Sequence, residues 1–583
     1  MTPQGERRRK AARRIAALGR AAMRLALLGA LLAWAGCAAE AESGEFLSAD
    51  GSGNNADNSA NNDNSASNNA TNNSSNNTNN EGGNADSNSQ NNANNSEPYI
   101  PEEEAKVVFE APRSSRNYVF VANPGLDSVA KIDADTLEIT SVETGDRPTV
   151  VQTFKEENLA VVLNEGSAEV TVIRAGDGSD YVRNLPVPVS MNALVLSPKG
   201  DYALVYFDFD KAQEDPEFRL DEAAPPFQDV ALVKLEEGGE KVFNLTVGFQ
   251  VLDLEFDDDG QRAFVITRTG ISVVELATVR GDKALPPISV AEVDAQDETD
   301  REVEVTGDGR FAFVRSAGLE GLNVVDLGDR AITLVSLPTI PTDLDLVPGQ
   351  SRAVATLRGT HQVAILELPA VLEDPESLRI LELSDDFNAG QAELTPDARK
   401  AVLFTTVEER PELAVLDLDT GALAQHLLKK GVQSIAISPD SDAAVVFHTK
   451  QPGTPTPGEP EDSFLAKSHA YSIVDLETGY AKIETLPTKA GEFVFGESSG
   501  RLYFLLNDKL ADVRQVEVVD LGSFRTRSIR LGSPPEHVGS IPNDGVPRVY
   551  ISQEHPVGRM TFIDEADLEI KTVTGFELNS LIE

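Results

Sequence analysis

The chain has 583 residues, 40% of them apolar, enough for three or four ordinary domains or for one long repeat fold with a large core. A single cysteine excludes a disulfide framework, a Cys-rich zinc site and any c-type haem motif. The net charge of −45 repels nucleic acid and anionic headgroups, so no nucleic-acid partner is expected; solubility and loose association with divalent cations or basic partners are.

The first element is basic. Residues 1–36 carry Arg7, Arg8, Arg9, Lys10, Arg13, Arg14, Arg20 and Arg24 against Glu6, a net of +7, which leaves −52 on the rest. The apolar run LALLGALLAWAG (25–36) is too short for a bilayer core of about 30 Å, which needs about 20 apolar residues, and it is flanked as a signal peptide is. Small residues Ala35 and Gly36 directly before Cys37 resemble the lipobox of bacterial lipoproteins, with Trp34 where that family usually has an aliphatic side chain. The resemblance implies lipidation of Cys37, cleavage before it, and membrane attachment through an N-terminal lipid anchor of more than one acyl chain. Ala38 is not the Asp that retains many such lipoproteins at the inner membrane. The expected location is therefore the bacterial cell envelope, at the outer membrane or cell surface. Cleavage at an Ala-x-Ala-like site with release of a soluble protein, and export through Arg13-Arg14 as a twin-arginine signal, remain alternatives.

Residues 37–104 form the second element. Between 51 and 96 the chain is almost wholly Asn, Ser, Gly, Asp and Ala, with almost nothing apolar to offset the entropy of ordering. A disordered tether is expected, and roughly 50 such residues reach about 40 Å.

From 105 to 583 three signals recur. Ten short apolar segments come first: NYVFVAN (117–123), NLAVVLN (158–164), DYALVYF (201–207), RAFVITR (262–268), FAFVRSA (311–317), RAVATLR (352–358), KAVLFTT (400–406), DAAVVFH (442–448), RLYFLLN (501–507) and PRVYISQ (547–553). Most are preceded by a turn such as SPKG (197–200), DDDG (257–260), TPDA (395–398) or PNDG (542–545), whose composition supplies a positive φ between antiparallel strands. Many are followed by a strand ending in an acid, as in LAVLDLDTG (413–421) and YSIVDLETG (471–479), where the acid is expected to cap backbone N–H groups of a hairpin turn. Four short strands per unit of about 47 residues fit an all-β fold, a β-propeller of about ten four-stranded blades. Ten exceeds the usual four to eight, so one large ring, an over-count and two propellers are all open; the lack of a linker-like break after 105 argues for one domain. The opening unit, YVFVANPGLDSVAKIDADTLEITSVETGDRPTVV (118–151), resembles the YVTN-type propeller repeat of bacterial surface proteins, and the turns resemble TolB-like repeats. These resemblances imply a fold and a cell-surface habit more than a chemistry.

Two insertions break the spacing, DFDKAQEDPEFRLDEAAPPFQ (208–228) and KQPGTPTPGEPEDSFLAKSHA (450–470). Both fall between the second and third strands of a unit, so both should emerge on one face, five blades apart. Long loops on a rigid scaffold are where binding commonly sits, and Phe218, Arg219, Phe227 and Phe464 are the candidate partner-binding residues. The six histidines (His361, His426, His448, His469, His537, His555) show no metal-ligand spacing, and there is no nucleophile elbow or phosphate loop. The acidic turns offer calcium carboxylates, but without EF-hand or nonapeptide spacing. The reading is a non-catalytic envelope lipoprotein, with no cofactor, whose propeller is a scaffold for an envelope protein or polymer. A lactonase-like propeller hydrolase and a TolB-like periplasmic assembly factor are the alternatives.

Overall fold

The computed structural model describes residues 112–575, apart from 177, 215–225, 292–300, 385, 408–409, 498–499 and 556–557. The leader, Cys37 and the Asn/Ser tract lie outside the described residues.

Ten antiparallel sheets succeed one another along the chain, over 113–143, 148–186, 193–246, 251–275, 301–336, 343–382, 391–427, 432–486, 490–530 and 535–574; they are numbered blades 1 to 10. All ten apolar segments are second strands of blades, for example Leu159–Asn164, Ala443–His448 and Arg548–Gln553, and every residue of these three is buried. Burial on both sides explains why these strands read as continuous Val, Ile, Leu and Phe: each sheet has a neighbour against either face. The core is accordingly divided into ten clusters, each drawn from two consecutive blades. The one that joins Val119 and Ile132 of blade 1 to Ile541, Tyr550 and Phe562 of blade 10 closes the circle. The fold is one ring of ten blades.

Closure uses no shared sheet, since blade 1 is wholly N-terminal and blade 10 wholly C-terminal. Hydrogen bonds do it instead. Ser114 Oγ donates to the Ser540 carbonyl (2.6 Å), Tyr550 OH to that of Pro112 (2.8 Å), and Arg116 pairs with Asp544 (2.6 Å). The first strand of blade 1 has only two residues, Arg113–Ser114. Lys155 of blade 2 reaches past it to Glu497 of blade 9 (2.5 Å) and to Ser540 of blade 10 (3.1 Å).

The turns follow the blade geometry whatever residue occupies them. Positive φ falls on Gly200 (69°), Gly260 (58°) and Gly309 (62°), but also on Ala398 (64°) and Ser441 (65°), where L side chains are disfavoured. In PNDG it falls on Asn543 (46°). The acids closing third strands cap as expected: Asp417 Oδ1 accepts from Thr420 N (2.8 Å), and Asp475 Oδ1 from Thr478 N (2.7 Å). Those bonds hold both carboxyls below their ordinary range.

Blade 4 departs from the four-strand expectation, having three strands. Where a fourth would run, Pro286 and Pro287 cannot donate to a ladder. The chain instead pairs Lys283–Ala284 in parallel with the outer strand of blade 3, then bridges Ile288 to Ile271.

First strands of neighbouring blades approach one another, as Arg113–Ser114 does Pro148–Phe154 and Pro535–Ile541, so they line the axis. In an antiparallel four-strand meander, second-to-third connections return to the face where the first strand began. Both insertions, the chain entry at Arg113 and its exit at Thr574 therefore share one face, called the upper face below.

Candidate functional site

The upper face carries the insertions of blades 3 and 8, between Tyr202–Tyr206 and Asp229–Lys234 and between Ala443–His448 and His469–Asp475. Phe218 and Arg219 lie outside the described residues, as does Cys37, whereas Phe227 and Phe464 are described.

The blade 3 insertion opens on helix α1 (Phe209–Glu214). Asp208 caps it, accepting from Lys211 N (3.0 Å), and its backbone is clasped by the Asn192 amide (2.6 and 2.8 Å). The segment returns through Phe227, whose ring centroid lies 5.7 Å from Phe207, 5.6 Å from Phe209 and 5.1 Å from Phe249. Such edge and tilted ring packings add about 0.5–1.5 kcal/mol each to simple burial. Phe227 is half-buried and packs onto the cluster between blades 2 and 3. Phe249 is the member most open to solvent, at 42%. It lies in the short connection from blade 3 to blade 4, so a reading based on long insertions had no signal for it.

The blade 8 insertion is held differently. Helix α2 (Glu461–Lys467) carries Phe464, half-buried, and Leu465, buried. The buried ammonium of Lys430 donates to the carbonyls of Leu465 and Ala466 at the end of α2, where a cation satisfies orphan acceptors. Glu459 accepts from Lys467 Nζ (2.8 Å), Thr456 N (2.5 Å) and Ser463 Oγ (2.8 Å). These bonds, Lys467 foremost, pull its carboxyl down to about 2. Beneath the insertion His448 is buried between the Gly431 carbonyl (Nδ1, 3.0 Å) and Ser472 Oγ (Nε2, 2.7 Å).

The axis end of the ring is polar, and its groups tie blades together. Carboxylates on first strands accept backbone N–H bonds from the next blade: Glu255 from Val305 (3.2 Å), Asp343 from Ala392 (2.7 Å) and Glu492 from Val538 (3.2 Å). First strands are edge strands with amides unpaired on the axis side, and these acids satisfy some of them. The DDDG turn is occupied likewise, since Asp257 accepts from Gln261 N (2.7 Å) and pairs with Arg262 (3.2 Å).

No family model matches the chain, and no curated protein matches it. Solved structures do. A dihydro-heme d1 dehydrogenase NirN in complex with DHE is 14% identical over 72% of this chain and 74% of its own, with a TM-score of 0.38. A eukaryotic initiation factor is 11% identical over 72% and 97%, with a TM-score of 0.43. Hydrazine synthase of Kuenenia stuttgartiensis is 14% identical over 56% and 99%, with a TM-score of 0.28. At these identities nothing of their chemistry carries over.

Proposed function

We propose that this protein is a lipid-anchored bacterial envelope protein of YVTN-like repeat character whose ten-bladed ring is a non-catalytic binding scaffold. The observation that carries this reading is the engagement of the axis carboxylates Glu255, Asp343 and Glu492 in bonds between blades. These are the groups a channel-centred hydrolase would need for acid–base work, and here they rigidify the ring. The two long insertions, of different chemistry, share one face, an arrangement suited to an envelope protein or polymer ligand. The described chain enters the ring at Arg113 on that same face, and a tether ahead of it would give the ring about 40 Å of play from the membrane. Cys37→Ala tests the attachment: in fractionated cells the variant should leave the membrane pellet for the soluble fraction. Retention in the pellet would refute lipid anchoring at Cys37.

One observation supports the hydrolase alternative. His537 Nδ1 lies 2.9 Å from Glu492 Oε1, a base beside an orienting carboxylate on the inner strands of blades 9 and 10. Turnover of lactone or ester substrates by the purified chain, abolished by His537→Gln, would replace the scaffold reading.

A further inference from the structure

Within a strongly acidic chain, Lys430, Lys450 and Lys489 gather around His469 at the upper rim between blades 8 and 9. A narrow cleft there is lined by Gln433, Phe447, His448, His469, Leu486 and Lys489. Gln433 comes from the inner strand of blade 8, at a bulge that shifts the register between Val432 and Ser434, and bulges re-aim side chains. His469 opens the third strand and pairs with Leu486 at the end of the fourth. Lys489 stands just before the inner strand of blade 9, Ala490–Phe495.

Most other cations of this region are spent. Lys429 pairs with Glu461 (3.1 Å), Lys467 with Glu459, and Lys430 caps α2. Lys489 is half-buried, has no ion pair or hydrogen bond with any described residue, and lies beside the half-buried ring of His469. Leaving an ammonium partly desolvated without a counter-charge is unfavourable. It is tolerated where a ligand supplies the missing charge.

We propose that this cleft binds the carboxylate group of a ligand, with Lys489 as ion-pair partner and the His469 ring and Gln433 amide as hydrogen-bond donors. The free space is about that of one water molecule, which admits the end of a carboxylate but not a whole sulfate or phosphate. The site stands independently of lipid anchoring and gives the upper face a chemical preference.

The charges facing His469 are Lys430, Lys450 and Lys489, all positive, and Asp508, negative; neutral His448 and Gln433 complete its surroundings. Asp508 is already bonded to Leu510 N and Ala511 N of its own turn (3.0 Å each). Burial first, then the three lysines, hold His469 down at about 4. An anion in the cleft reverses the lysine contribution, so binding takes up a proton and tightens as pH falls toward 5.

The experiment uses the full chain, purified in mild detergent, with the fold of each sample checked by circular dichroism. Acetate is titrated at constant ionic strength against chloride, sulfate and neutral acetamide, while the His469 ring is followed by NMR. Saturable shifts with acetate, a raised His469 pKa and at least tenfold weaker binding in Lys489→Met support the site. Lys489→Met keeps the apolar stem and removes only a charge that no described residue pairs with, so the ring should stay intact. No response to acetate, an equal response in the variant, or stronger binding of sulfate would each overturn the proposal. A uronic-acid oligomer in place of acetate separates a polymer source from a free small acid: tighter binding per carboxylate supports the polymer, and equal binding the small acid.

Discussion

The insertions of blades 3 and 8 leave the ring at equivalent points, yet they are held by opposite means. In blade 3 four phenylalanines close over the loop, with Phe227 touching the other three. In blade 8 the loop is held by Lys430 on helix carbonyls and by the Glu459–Lys467–Ser463 knot, over a buried neutral histidine. The ring fixes where a loop emerges and leaves open how it is secured. Aromatic packing is nearly indifferent to pH and salt, whereas an arrangement of charges and a buried imidazole is not. One region should behave as an extension of the core and the other as a responsive surface.

The contrast breaks most visibly at Phe227. Phe227→Ala removes a ring from the centre of three aromatic contacts and should cost about 3 kcal/mol, read as a lower urea midpoint of similar size at pH 7 and pH 5. A cost under about 1 kcal/mol would mean that the aromatic cluster does not hold the insertion.

Next in size is acid sensitivity in blade 8. Folded His448 ionises only near pH 4, against an ordinary 6.5, chiefly because burial disfavours the imidazolium; the Gly431 carbonyl opposes this and Lys430 reinforces it. Between pH 6.5 and 4 the unfolded chain binds a proton that the folded one refuses. Stability is therefore lost as pH falls through that window, by about 2–3 kcal/mol at its lower end, and is unaffected above it. Hydrogen exchange should quicken in residues 450–468 on acidification while α1 and Phe227 keep their protection. In His448→Gln the acid slope should flatten. Equal acid slopes in wild type and variant would remove His448 as its source.

The uneven legibility of the two regions has a physical basis. Ten second strands were visible because burial on both faces demands unbroken apolar runs, and the ring could be counted from them. Blade 4 was not, since the effect of Pro286 and Pro287 depends on what the displaced chain can pair with. The turn at 395–398 was legible, but not that its positive φ would fall on Ala398, nor that of the next blade on Ser441, because the turn there is imposed by neighbouring strands and not by a glycine. Insertions were legible as breaks in spacing, which singled out Phe227 and Phe464. Phe249 and Lys489 were not, because both sit in short connections between blades. Likewise His448 and His469 appeared scattered along the chain; only the antiparallel pairing of two long-separated strand ends puts them in one cleft.

The smallest expected effect is the sharpest test of the upper face. Phe249 is 42% exposed, and its ring rests on Phe227 from outside. Its backbone N–H is bonded to Thr269 Oγ1 at 2.9 Å, a bond that any side chain at 249 preserves. Phe249→Ser should therefore cost only about 0.5–1 kcal/mol, the value of one partly solvated ring contact. Its consequence belongs to recognition: an exposed aromatic backed by rigid rings is what a partner's apolar surface would meet first. On the scaffold reading, Phe249→Ser keeps the unfolding midpoint nearly unchanged and loses capture of the envelope ligand, whereas Phe227→Ala lowers the midpoint and loses capture as well. Should Phe249→Ser destabilise the ring as much as Phe227→Ala, the four rings form one core, and the blade 3 insertion is structure alone.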